Sequence, residues 1–188
     1  MTHSTSSSTG RQRTRVGWRR WQAVGLTALT AYSAALGWQA QLVSYPLFKA
    51  VSSDDFADYH SRYNAAIPVV VIVPGFLTFV AGAAFYWTRP LDVPRPAAAL
   101  VGAAGVTSLL STVLWAIPMH DRLDEVGQSI ETIDSLLQSN MLRSLALTVG
   151  AVTLAWCVAK SGRGSGAAHD MTTRDLTRTR ASRTGHHS

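Results

Sequence analysis

The side chains of this sequence that can do chemistry fall in four short stretches. His60 and His120 are the two histidines outside the terminal tails, and an imidazole serves as general base or acid near neutral pH, or as a ligand to metal or haem. Arg143 follows Asn140 by one helical turn, a pair suited to holding an anionic or enolate oxygen by charge-assisted hydrogen bonds. Trp38, Gln41 and Tyr45 are spaced three and four apart and so share one face of a regular helix; Tyr63 and Asn64 sit beside His60, and Trp115 opens the stretch Trp115-Ala-Ile-Pro-Met-His120. His60, His120 and Arg143 are the candidate catalytic residues. Gln41, Tyr45, Tyr63, Asn64, Trp115 and Asn140 are the candidate ligand contacts. Asp58, Asp121 and Asp124 fall in solvated connections, so no third metal ligand is expected and no closed zinc site. A bis-histidine haem would require the two rings to face each other across a haem, and the sequence assigns no cofactor. Nothing matches a nucleophilic triad, a phosphate loop or a nucleotide fingerprint.

These residues need elements to carry them, and the apolar residues, 47% of the 188, supply those in blocks. Four windows, about 21–47, 65–88, 96–119 and 141–160, hold the roughly 20 mostly apolar residues that a membrane-crossing helix needs. The expected fold is all-α: a four-helix transmembrane bundle over 21–160, between basic tails at 1–20 and 161–188. The tails are mostly Ser, Thr, Arg, Gly and His, with too little apolar surface to offset the entropy of ordering, so they are expected to be disordered. A basic N-terminus before an apolar run also resembles a signal peptide, but about 21–48 is too long for a cleaved signal and three further windows follow. The single cysteine, Cys157, lies in an apolar run and reads as a small buried hydrophobe.

The formal charge of +6 sits mainly beside the membrane windows, where anionic lipid attracts it. Without aromatic interleaving in the tails, the lipid bilayer and not nucleic acid is the expected partner. Thirteen of the seventeen basic residues lie in the two tails, at Lys160 beside the second, and in the connection 88–95, whereas the other two connections hold Lys49, Arg62, Arg122 and Arg143 against eight acids. The positive-inside bias then puts both termini in the cytoplasm of a multi-pass inner (plasma) membrane protein.

On the opposite side, Phe56, Tyr59, His60, Tyr63 and Ile67 recur at helical spacing after Ser52-Ser-Asp-Asp, and Val126, Ile130, Ile133, Leu136 and Leu137 make a second stripe. Short amphipathic helices are therefore expected on the non-cytoplasmic face. Pro68 and Pro74 can kink the second span and open a pocket, and the Ala/Gly runs 81–84 and 101–105 permit close helix contact. All four spans carry polar or aromatic groups at their outer ends, where such groups are costly unless they meet each other, water or a ligand. A shared outward pocket is the expected result. Taken singly, the aromatic residues also fit the role of interface anchors, and Arg143 that of a snorkelling cation.

Gln41-Leu-Val-Ser-Tyr-Pro-Leu-Phe48, Phe56-x-x-Tyr-His60-x-x-Tyr63, Pro118-Met-His-Asp-Arg-Leu123 and Asn140-x-x-Arg143 resemble a group of small uncharacterised bacterial four-helix membrane proteins. More distantly, the Pro-x-His-x-x-Leu and Asn-x-x-Arg elements are similar to those of the anthrone oxygenase-like family, which commonly has Asn where this chain has His120. The resemblance implies a pocket for a flat phenolic substrate and oxidation without an evident cofactor. The expectation is an integral membrane protein whose outward pocket takes a small quinone-like or phenolic ligand. The alternative is a membrane oxygenase or oxidoreductase with a His base and Arg143 as oxyanion partner. Transport is disfavoured by the absence of an internal repeat and of midplane charge.

Overall fold

In a computed structural model, which describes the backbone of residues 6–184 and the side chains of residues 17–161, every regular element is helical and there is no strand among the described residues. Four rods form the bundle. The first is α1 (Ser6–Gln39), a π-helical turn (Ala40–Ser44) and α2 (Tyr45–Phe48); the second is α3 (Phe56–Ile67), a π turn (Pro68–Ile72) and α4 (Val73–Thr88). The third is α5 (Arg95–Ser111), a π turn (Thr112–Ala116) and α6 (Ile117–Val126); the fourth is the uninterrupted α7 (Ile130–Thr184). α1 packs on α4 and α7, and α5 on α4 and α7, so the rods close a ring.

Prolines explain where three rods change pitch. Pro46, Pro74 and Pro118 each lack an N–H, and the ring of each would press on the carbonyl four residues earlier. The chain responds by widening one turn: the residue before each proline bonds five residues back, Tyr45 N–H to Ala40 O, Val73 N–H to Pro68 O and Ile117 N–H to Thr112 O. α7, which contains no proline, has no such turn.

The connections are fixed by side chains. Arg89 donates to Tyr86 O at 2.6 Å and Val93 O at 3.1 Å, closing the end of α4, and Pro94 and Pro96 flank the first residue of α5. Gly127, at φ 76°, ends α6 in a left-handed conformation that a side chain would strain. Gln128 then reaches back to Phe48 O (2.9 Å) and Val51 O (2.7 Å), tying the Phe48 end of the first rod to the third connection.

Three helices are long and apolar enough to cross a membrane: Phe56–Thr88, Arg95–Val126 and Ile130–Ser161. Large apolar side chains face outward on these rods, among them Val69, Phe76, Leu114 and Val152, as expected where lipid replaces water. The first rod, expected as a span over 21–47, does not reach the same apolarity. Its Thr27, Thr30 and Ser33 carry hydroxyls that are satisfied locally, Thr27 on Ala23 O (2.7 Å), Thr30 on Leu26 O (2.8 Å) and Ser33 with Thr78 (3.1 Å).

One expectation needs adjusting. The amphipathic segments are continuations of the rods through their π turns, and Ile133 and Leu136 of the second stripe are fully buried on α7, whereas Val126 and Ile130 are exposed. The helical backbone of α1 and α7 extends over 6–20 and 161–184. Positions 1–5 and 185–188 lie outside the described residues.

Small residues bring the rods together. A Cβ on Gly105 would lie 3.3 Å from the Phe79 Cα, a backbone neighbour that cannot rotate away, whereas one on Gly25 would meet nothing within 4 Å. Gly105→Ala is therefore expected to destabilise the bundle by about 1–3 kcal/mol, while Gly25→Ala is neutral or slightly stabilising through helix propensity; thermal unfolding of both variants in detergent measures the contrast.

Candidate functional site

Away from the tails, the three π turns stand at one level around a cavity of about 420 Å³. Ala40, Pro68, Val70 to Ile72, Thr112 and Ala116, all from those turns, line it. A second cavity of about 290 Å³ continues from it between α1, α4 and α5, sharing Leu36, Val71, Ile72, Thr112, Ile117 and Arg143. Widened turns recur at functional sites because they displace a side chain and loosen the backbone ladder.

Of the residues expected at the site, Tyr45, Tyr63, Asn64, His120 and Arg143 line the larger cavity. Tyr45 is buried, with its hydroxyl 3.4 Å from His120 Nε2. His60 stands behind His120, 1% exposed, its Nε2 3.0 Å from His120 Nδ1. The far side of His60 meets Asp124, whose Oδ1 lies 2.6 Å from Nδ1. Asn64 donates to the other carboxylate oxygen at 3.1 Å.

The two imidazoles are held by neighbouring rings: Phe56 stacks on His60 (5.4 Å, 12°), His60 on His120 (5.3 Å, 17°) and Tyr63 on His120 (6.0 Å, 23°). Phe48 packs edge-on against Tyr63 and His60 at 4.9 and 5.4 Å. The bis-histidine haem does not fit this arrangement. A metal between the facing nitrogens would need about 4 Å, two bonds of about 2 Å each, and here they are in hydrogen-bond contact. No group of three metal-ligating side chains occurs among the described residues.

Arg143 does not snorkel. It is 8% exposed within the bundle, lining both cavities, and donates to Asn140 Oδ1 and, at 3.4 Å, to Thr112 Oγ1. Among the described residues no carboxylate forms an ion pair with it. A buried guanidinium with five donors and only neutral partners retains capacity for an anionic or strongly accepting oxygen.

Three expected contacts are placed elsewhere. Asn140, 1% exposed, spends its amide on Gly37 O (2.9 Å) and Gln41 Oε1 (2.8 Å) and presents its carbonyl to Arg143, so it positions the guanidinium and does not line the cavity. Gln41 completes that arrangement from outside. Trp115 points to α7, its indole N–H on Ser135 Oγ at 2.8 Å, and is a packing residue. The sequence reading missed Asp124, assigned to a solvated connection, although it follows His120 by four residues and so shares its helical face, as Asn64 does with His60. Thr112 carried no sequence signal at all.

Comparison with known proteins adds no assignment: no family model, no curated protein and no solved structure matches this chain.

Proposed function

We propose that this protein spans the plasma membrane four times, with both termini in the cytoplasm, and binds in its outward cavity a small amphipathic ligand with a phenolic or quinone-like oxygen. The carrying observation is Arg143, a buried cation without a carboxylate partner among the described residues, placed on the wall shared by both cavities. An intramembrane cation is retained at a cost, and a ligand oxygen gives that cost a purpose. The ligand oxygen sits by Arg143, within reach of Tyr45 and His120 at the larger cavity, and the apolar body extends between Phe76, Leu109 and Leu147 in the smaller one. The combined space suits a ligand of drug-like size or smaller, for which apolar walls and a few convergent polar groups are usual.

The positive-inside rule supports the orientation, because Arg19, Arg20, Arg89, Arg95 and Lys160 gather at the end opposite the cavity. The first rod crosses with the others despite its lower apolarity, since its hydroxyls bond within the bundle. A reporter fused after Ser188 is expected to be active only in the cytoplasm; activity outside the cell would overturn the orientation.

A second reading is supported by the same geometry. A base, His120, and a cation, Arg143, on one cavity are what oxidation of a phenol by molecular oxygen, the electron acceptor, would ask of the protein in the absence of a resident cofactor, in line with the resemblance to the anthrone oxygenase-like family. Deprotonation and oxyanion stabilisation would fall to these two residues.

Arg143→Met separates a ligand-binding role from a structural one. If the guanidinium only braced the fold, its loss would lower stability. As a cation kept for a ligand, its replacement by an apolar side chain is expected to raise unfolding stability by about 1–3 kcal/mol while weakening ligand binding at least tenfold. Thermal unfolding in detergent and mass analysis of co-purifying small molecules measure the two effects. A destabilised variant that keeps the wild-type ligand content would overturn the proposal.

A further inference from the structure

The geometry points to a proton path, Tyr45–His120–His60–Asp124, that takes the hydroxyl proton from a phenolic ligand and delivers it to water at the outer end of the bundle. This inference rests on the ligand reading above and extends it from binding to chemistry.

The direction is set by the donor and acceptor inventory. A carboxylate only accepts, so Asp124 takes its hydrogen bond from His60 Nδ1–H. With the ring neutral, His60 Nε2 is then an acceptor and must receive from His120 Nδ1–H. That leaves His120 Nε2 as an acceptor facing the cavity, where the Tyr45 hydroxyl donates to it. With both rings neutral, only this assignment satisfies all three links. Every proton in the line points toward Asp124.

The lengths sharpen the reading. The links are 2.6 Å at Asp124, 3.0 Å between the imidazoles and 3.4 Å at Tyr45. The loosest is the one at the cavity, where a ligand hydroxyl can replace or join Tyr45. His60 is 1% exposed with both nitrogens engaged, so it neither touches the cavity nor reaches water, whereas the Asp124 side chain is 51% exposed. A buried imidazole in that position serves to connect.

The step balances without an oxidant. The ligand O–H bond breaks and its proton joins His120 Nε2. The His120 Nδ1 proton passes to His60 Nε2, the His60 Nδ1 proton passes to Asp124, and Asp124 releases one proton to water. The ligand is left as an oxyanion facing Arg143, and both rings regain their first tautomers when a proton returns along the line. Arg143 and Asp121 on the cavity side, and Tyr45 and Tyr63 against the rings, are the other charged or titratable groups facing the path.

The test uses the full-length protein in detergent and 4-nitrophenol, whose phenol and phenolate forms absorb differently. In stopped flow, wild type is expected to convert bound probe to phenolate, and Asp124→Asn and His60→Gln to do so at least tenfold more slowly with dissociation constants within threefold of wild type. Arg143→Gln is expected instead to lose affinity. Wild-type rates in both relay variants, at unchanged affinity, would overturn the exit path and leave the ligand reading standing. Failure of wild type to bind the probe would count against the ligand reading, and nitrogen-15 spectra of labelled histidines in the ligand-free protein then judge the path. Protons at Nδ1 of His60 and His120, redistributed by Asp124→Asn, support it; protons at Nε2 overturn it.

Discussion

A proline cannot donate a backbone hydrogen bond, and its ring excludes the carbonyl four residues before it. Everything at the functional end of this bundle depends on that constraint acting three times. Leu42, Val70 and Leu114, the residues four before Pro46, Pro74 and Pro118, are each the centre of a π turn. Had the prolines been staggered along the rods, each kink would have been an isolated irregularity. At one level they withdraw backbone from the bundle axis together, and the cavity is lined by the turns they create. The opposite end has none of this: Leu26, Phe85, Val101 and Leu154 interlock there as an ordinary apolar core.

The fourth rod supplies what the other three leave room for. α7 is regular through this level, so Asn140, Arg143 and Ser144 keep helical spacing and face inward as a rigid set. Close approach of α1 makes the set work. Gly37 leaves space for Ser144, whose Oγ would stand 2.5 Å from a Cβ at that position, and its carbonyl receives the Asn140 amide. Asn140 is thereby fixed with its own carbonyl toward Arg143. The guanidinium is oriented by neutral dipoles that neither cancel its charge nor occupy all its donors.

The same π turns explain what could and could not be read from the sequence. Helical spacing correctly grouped the polar residues at one end of each rod, because that inference needs only approximate position along the axis. Assignment to a face needs unbroken 3.6-residue periodicity, and a π turn adds about one residue, rotating the rest of the helix by roughly 100°. Trp38, Gln41 and Tyr45 therefore do not share a face: Gln41, inside the turn, bonds to Asn140, and Tyr45, beyond it, lines the cavity. Trp115, inside the third turn, likewise parts from His120. Where no turn intervenes the spacing held, as with His60 and Asn64, and it would have placed Asp124 beside His120 had that carboxylate not been set aside as belonging to a loop. The amphipathic helices were legible as helices; that they continue the rods depends on π turns which hydropathy does not reveal. All four spans were read as apolar segments; three of the helices are long and apolar enough to cross a membrane, whereas the first, which carries Thr27, Thr30 and Ser33, does not reach that apolarity.

The site also has an electrostatic polarity that neither charge would give alone. Arg143 lies on the cavity side of the imidazole pair and Asp124 on the water side, with no other charged side chain bonded to either ring among the described residues. In the low dielectric of a helical bundle the buried guanidinium acts over several ångströms with little screening, while half-exposed Asp124 acts mainly on the imidazole it touches. A proton on the line is repelled from the cavity by the guanidinium and drawn outward by the carboxylate, while an oxyanion is drawn the opposite way. Field and hydrogen-bond direction thus agree, and the arrangement favours separation of a proton from an acidic hydroxyl over retention of the neutral molecule. An isolated histidine pair, or a buried arginine by itself, would bind or bridge without that preference.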